Sequence, residues 1–179
     1  MRDVSAAATT LPGRGLASAR VPSFAETAER HLDDVYRYLL VFTRDASLAE
    51  DLAAETFERA LRTWRRFDPA RASARTWLCT IARSIALDHF RAEKRRRSRE
   101  RAASDALGQV APPDLGLSPA LERALAALSA ADREVVALRI VLDLDAEAAA
   151  RLLGISATAC TTRLSRALKR LEELMSDDE

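Results

Sequence analysis

The chain has 179 residues, 48% of them hydrophobic, and a formal net charge of +1. That is enough to build one compact domain or two small ones, is too apolar for a disordered chain, and provides no global field toward nucleic acid. No apolar run approaches the roughly 20 residues of a membrane span, and no continuous apolar core marks a signal peptide. The expectation is a cytoplasmic protein with no membrane partner.

Residues 1–22 are rich in Ala, Ser, Thr and Arg without a sustained period, and read as a disordered tail. From Ser23 to Leu107 there is no glycine, and Pro69 is the only proline, so long helices are expected. The first spans residues 24–43, with Leu32, Val35, Tyr36, Leu39 and Leu40 as its apolar stripe. Ser47 followed by Glu50 has the form of a capping box and predicts the start of a second helix. Its stripe is Leu48, Leu52, Ala53, Phe57, Ala60, Leu61 and Trp64. Phe67-Asp68-Pro69 breaks the pattern, and a helix of roughly 40 Å follows over residues 74–101. It begins apolar, with Trp77, Leu78, Ile81, Ala82 and Ile85, and ends basic, with Arg91, Lys94, Arg95, Arg96, Arg97, Arg99 and Arg101. A helix anchored at one end and basic at the other suits a polyanion. The three helices can bury one another's stripes as a bundle.

Residues 102–118 contain Gly108, Pro112, Pro113 and Gly116, and read as a flexible linker. Ser118-Pro119 is a helix cap with proline in the first turn, and Ser129 with Asp132 starts the next helix, which carries Val135, Val136, Leu138, Arg139 and Ile140. Asp145 opens a short Ala-rich helix, Gly154-Ile155-Ser156 makes a tight turn, and a final helix points Cys160, Leu164, Ala167, Leu168, Leu171 and Leu174 inward. Thr158, Thr161, Thr162, Arg163, Arg166 and Arg170 lie opposite. This is the pattern of a helix-turn-helix, whose second helix places Thr and Arg near base edges and phosphates. An ordinary helical hairpin is the plainer alternative. Residues 176–179 form an acidic tail. The reading is therefore all-α: a helical bundle over residues 23–101, a linker over 102–118, and a helix-turn-helix domain over 119–175.

Charge is segregated along this plan. Glu50, Asp51, Glu55 and Glu58 form an acidic patch, set apart from the basic end of the third helix and the basic final helix. Two kinds of surface suggest more than one kind of partner. Cys79 and Cys160 sit far apart in apolar helical patterns, and only His31 and His89 accompany them, so neither zinc spacing nor a disulfide framework emerges. No cofactor and no small-molecule substrate are expected.

Taken in order, SLAEDLAAETFERALRTWRRFDP, RASARTWLCTIARSIALDHFRAEKRR, LERALAALSAADREVVALRIV and LLGISATACTTRLSRALKRLEEL resemble the extracytoplasmic-function sigma factors of bacterial RNA polymerase. The resemblance implies a polymerase-core contact, on the β′ coiled coil, at Asp51, Glu55, Phe57 and Arg59, with the β subunit as a further partner. It implies that Phe67, Asp68, Arg71, Ser73, Arg75 and Thr76 capture a flipped base of the −10 element. Extruding a base costs a few kcal/mol, which stacking and hydrogen bonding can offset. Arg83, Asp88, Arg91, Lys94 and Arg95 would line the opened strand. Thr158, Ala159, Thr161, Thr162, Arg163 and Arg166 would read the −35 element. Trp77 is expected to brace the loop from the core, and Phe57 to pack in the core as well. Ala159, Thr161, Ala146 and Ala149 depart from the family's usual residues, which implies a thin helix-turn-helix core and modest −35 affinity. The family also implies an anti-sigma partner. Two rivals make distinct demands. A stand-alone helix-turn-helix repressor would dimerise on palindromic duplex DNA without polymerase. A nucleic-acid enzyme would need a nucleophile, base or metal cluster, and the pattern offers none.

Overall fold

The computed structural model describes residues 23–101 and 117–176. All regular structure among them is helical. α1 is Phe24–Thr43, α2 Ala46–Thr63, α3 Ala74–Arg101, α4 Pro119–Ala127, α5 Ala130–Val136, α6 Ala146–Leu153 and α7 Ala157–Ser176. A single 3-10 turn, Trp64–Arg66, follows α2, and a π turn, Ala137–Val141, extends α5. The segments read as disordered tail, linker and acidic tail lie outside the described residues, apart from Leu117, Ser118 and Ser176.

The caps explain where the helices begin. Ser23 and Glu26 form a reciprocal capping box at α1: the Glu26 amide donates to Ser23 Oγ at 3.2 Å, and the Ser23 amide to Glu26 Oε2 at 2.7 Å. The expected box at Ser47 is displaced. Asp45 caps α2 by accepting from the Leu48 amide at 3.0 Å, and Ser47 sits inside the first turn. Arg44, in left-handed backbone at φ 58°, turns the chain sharply enough for Asp45 to take that place. Ser118, Ser129 and Asp145 cap α4, α5 and α6 as the sequence predicts.

α1, α2 and α3 pack pairwise around Val35, Tyr38, Leu39, Leu52, Ala60, Leu78, Ala82 and Ile85, all buried. Two residues expected in that core are not there: Leu32 is 51% exposed and Leu61 58% exposed. Tyr38, Val41 and Phe42 are buried in addition to the expected stripe. The cause is a second packing partner. α5 and the π turn lie against α1, so this helix is covered along a wider arc than a lone bundle requires.

In the second half, α4, α5 and α6 pack on α7 around Leu125, Val135, Leu138, Ala149, Cys160 and Ala167. Leu168, expected inward, is 40% exposed, and Ile140 at the π turn is 54% exposed. The wider turn rotates Ile140 outward while Leu138 and Leu142 stay buried.

The two halves share one continuous core. Polar bonds also cross between them. Glu134 of α5 accepts from Arg83 Nε at 2.7 Å and from the Tyr38 hydroxyl at 3.3 Å. Arg75 donates to the Leu142 carbonyl at 2.6 Å, and Arg133 Nε to the Phe42 carbonyl at 3.3 Å.

Candidate nucleic-acid interface

The loop between α2 and α3 rests on a cluster of rings. Trp64 stacks on Phe67, with centroids 4.9 Å apart, and meets Trp77 edge-on at 5.7 Å and Phe24 at 5.5 Å. Phe67 and Trp77 are 5.3 Å apart. Such pairs are worth about 0.5–1.5 kcal/mol each beyond area burial, so both ends of the loop are pinned. Between them the loop is tied to itself. Asp68 Oδ1 accepts from the Ala70 amide at 2.9 Å, and Arg71 Nε lies 3.4 Å from Asp68 Oδ2. Ser73 caps α3, accepting from the Thr76 amide at 3.1 Å, with its hydroxyl 2.9 Å from that of Thr76. Asp68, Arg71 and Ser73 are exposed, whereas Phe67 and Thr76 are half-buried. Trp77 braces the loop, half-buried against Trp64 and Phe67. Trp64, read only as a stripe residue, proves central to this cluster.

Along α3 the candidates divide. Arg75 is held between Asp34 Oδ2, 3.0 Å from its Nε, and the Leu142 carbonyl. Arg83 is held by Glu134. Neither projects freely toward solvent. Asp88 and Arg91 pair with each other at 3.0 Å on the exposed side. Lys94 and Arg95 are exposed beyond them. Glu93 accepts from Arg96 and Arg97, both at 2.8 Å, and these bonds hold its carboxyl down to about 2.

The acidic face of α2 is open. Asp51 and Glu55 are exposed, with Glu55 Oε1 2.9 Å from Arg59 Nη2, and Glu58 pairs with Arg62 one turn on. Phe57 is half-buried against the core. Leu61 adds an exposed apolar side chain to this helix, which the stripe reading had placed inside.

The turn between α6 and α7 is built around Gly154, in left-handed backbone at φ 68°. The Ile155 amide bonds the Ala150 carbonyl at 3.1 Å, and Ser156 Oγ accepts from the Ala159 amide at 3.1 Å, capping α7. Thr158, Ala159, Thr161, Thr162 and Arg166 are exposed on its first turns, and Arg163 is half-buried. The Thr161 hydroxyl bonds back to the Ala157 carbonyl at 3.1 Å. A cleft of about 430 Å³ runs along this face, lined by Ser156, Thr158, Ala159, Thr162, Arg163 and Arg166, with Asp132 contributed by α5. Asp132 was visible in sequence only as a cap residue.

The buried polar groups are structural. Burial, reinforced by the Glu134 carboxylate, pushes the Tyr38 hydroxyl well above its ordinary value, and burial pushes the Cys79 thiol up to about 12. His31 pairs with Asp34 at 3.0 Å. Among the described residues no cluster of His, Cys, Asp and Glu could hold a metal ion, and no helix is long and apolar enough to cross a membrane.

Comparison with known proteins places these features together. Residues 27–96 match the family model for Sigma-70 region 2, and residues 118–171 that for Sigma-70 region 4. The chain is 32% identical over 162 residues to the ECF RNA polymerase sigma factor BldN of Streptomyces coelicolor, covering 87% of this chain and 61% of that protein. It is 30% identical to the ECF RNA polymerase sigma factor SigX of Bacillus subtilis, covering 81% of this chain and 84% of the relative. Its fold superposes with a TM-score of 0.71 on the sigma factor RpoE of Bartonella quintana, solved in complex with the anti-sigma factor NepR, at 28% identity over 89% of this chain and 100% of the other. The bundle with its basic helix and ring-braced loop, followed by a helix-turn-helix, thus belongs to a chain of the extracytoplasmic-function sigma factor family.

Proposed function

We propose that the chain binds core RNA polymerase and directs promoter-specific initiation, reading −10 and −35 elements and aiding promoter melting. The carrying observation is that one chain holds an open acidic helix face, a loop braced by stacked rings and a Thr- and Arg-rich recognition helix, in the order of the two matched sigma regions. In this reading residues 23–101 and 119–175 are the two working units, with 102–118 as the tether between them. Asp51, Glu55, Phe57 and Arg59 face the β′ subunit, with exposed Leu61 adding apolar contact. Phe67, Asp68, Arg71, Ser73, Arg75 and Thr76 capture a −10 base. Arg83, Asp88, Arg91, Lys94 and Arg95 follow the opened strand. Thr158, Ala159, Thr161, Thr162, Arg163 and Arg166 read the −35 duplex.

The chemistry suits these roles. Rings and short polar side chains around a pinned loop suit an unstacked base. Exposed cations on a helix suit phosphates, and Thr and Arg on the first turns of a groove-binding helix suit base edges. The role calls for no catalytic centre in this chain, and its place of action is the cytoplasm. An anti-sigma factor, such as the one bound to the Bartonella relative, is proposed as a regulatory partner.

Reconstituted transcription with bacterial core polymerase, followed by mapping of the start sites, tests the proposal. Initiation from a discrete promoter set that depends on the added chain is the expected result. Asp51→Lys with Glu55→Lys should abolish polymerase binding while leaving the helical content intact. Tight, polymerase-independent binding of a dimer to palindromic duplex DNA would instead establish a repressor.

A further inference from the structure

The cations around the loop between α2 and α3 differ in how they are held. Arg59 and Arg62 pair with Glu55 and Glu58 along α2. Arg71 pairs with Asp68 inside the loop, and Arg75 is held by Asp34 and the Leu142 carbonyl. Arg65 and Arg66 stand between these groups, on the 3-10 turn that leads from α2 into the loop. Both are exposed, and neither guanidinium takes an ion pair or a hydrogen bond among the described residues. The turn that carries them is fixed at both ends. The Phe67 amide closes it on the Trp64 carbonyl at 2.9 Å, and the rings of Trp64 and Phe67 stack on each other. Trp64 is held in addition by Phe24 and Trp77, and Phe67 by Trp77. Successive residues of a 3-10 turn stand about 120° apart, so the two side chains leave it in different directions. Two free guanidinium groups on a pinned turn suit an anionic partner. The backbone is already ordered, and no internal ion pair has to break before they bind.

We infer that Arg65 and Arg66 grip two backbone phosphates of the −10 strand, flanking the base extruded into the loop. The inference rests on the base-capture role proposed for that loop. A strand with one base turned into a pocket leaves its phosphates outside, where contacts fix the register while the loop reads the base. The arginines of the loop itself, Arg71 and Arg75, are already engaged, and the turn next to it supplies the free charge. Divergent side chains serve two successive phosphates better than one. An acidic surface of the polymerase is the rival partner for these cations. The face assigned to the polymerase is itself acidic, with Asp51 and Glu55 exposed, so the surface that meets it is basic and repels two further arginines. DNA is the partner that fits their place beside the loop and their sign.

The test uses the holoenzyme assembled from the full chain and bacterial core polymerase. The probe is a fork-junction DNA from a promoter found by start-site mapping, with duplex upstream and a single strand over the −10 element. Arg65→Ala with Arg66→Ala should lower the slope of log affinity against log salt by about 1.4, at about 0.7 for each phosphate contact on a single strand. Arg65→Lys with Arg66→Lys should keep most of that slope, because lysine retains the charge. Methylphosphonate linkages, which remove the charge of single phosphates, locate the contacts. Scanned through the −10 strand, they should weaken the natural holoenzyme at the two linkages flanking the captured base and leave the alanine variant unmoved there. Helical content by circular dichroism and affinity for core polymerase should match the natural chain in both variants. An unchanged salt slope, or equal methylphosphonate sensitivity in the natural and alanine holoenzymes, overturns the assignment. A natural holoenzyme insensitive at every such linkage overturns it without any variant. Weakened core affinity in the alanine variant, with its methylphosphonate response unchanged, places the two arginines on the polymerase instead. Absence of chain-dependent initiation by the natural chain removes the sigma-factor reading and this assignment together, whereas normal initiation with an unchanged slope removes the assignment alone.

Discussion

Gly154 allows conformational strain to be separated from steric strain. Its φ is +68°, and a Cβ built there would meet nothing within 4 Å. Replacing it by alanine therefore creates no clash, and the whole cost is that of placing an L-residue in left-handed backbone, about 1–2 kcal/mol. Alanine also restricts the unfolded chain, which returns about 0.4–1 kcal/mol. The expected net loss for Gly154→Ala is thus about 1 kcal/mol. Gly154→Asn should cost less, because asparagine tolerates this region. Urea unfolding followed by circular dichroism measures both. In a thermal scan the same loss reads as about 2–4 °C if the whole chain unfolds together, and about 4–8 °C if the second half unfolds alone. Because the added Cβ points into open space, neither variant should change the −35 preference once the folded fraction is corrected for. A neutral alanine, an asparagine costlier than alanine, or a changed base preference would refute the reasoning.

Three further outcomes are expected. Lys94→Ala with Arg95→Ala should weaken binding to all DNA sequences alike and lower the slope of affinity against salt by about 1 per lost phosphate contact, measured by salt titration. Glu93 has its folded carboxyl lowered to about 2 by Arg96 and Arg97, so its support of the basic end of α3 is present above the ordinary carboxylate range and lost as pH falls through about 2. Acid titration of the natural chain against Glu93→Gln, followed by helical signal, should show a component confined to the natural protein between about pH 4 and pH 2. Cys79, buried with its thiol pushed up to about 12, should react with a thiol reagent at neutral pH only at the rate of unfolding, and adding denaturant should expose it.

The helices were legible because their signals are local. Ser118 before Pro119, Ser129 before Asp132 and Asp145 before an alanine run each satisfy their own first-turn amides, and Gly154 supplies the backbone a tight turn demands. The basic end of α3, the acidic face of α2 and the Thr- and Arg-bearing face of α7 follow directly from residue order on a 3.6-residue period. Where a stronger cap stood nearby, local reading failed: Ser47 yielded to Asp45 because the left-handed Arg44 brings Asp45 to the first amides.

Residue order on a helix therefore determined the elements and their outward chemistry, and the order of the segments along the chain carried the resemblance to the family. Which faces are covered, and by what, belonged to the tertiary structure. Leu32, Leu61 and Leu168 fit a stripe as well as their buried neighbours do, yet they point to solvent, since a stripe marks an arc and packing selects within it. The docking of α5 and the π turn on α1 buries Tyr38 and Phe42 and turns Arg75 and Arg83 away from solvent. Glu134 lies 51 residues from Arg83 and 96 from Tyr38. Glu134 follows Asp132 and Arg133 in a charged run, so its sequence gives no sign that it is buried, and only the folded chain shows what meets it, because a buried charge is satisfied by proximity in space and helical periodicity carries no information about it.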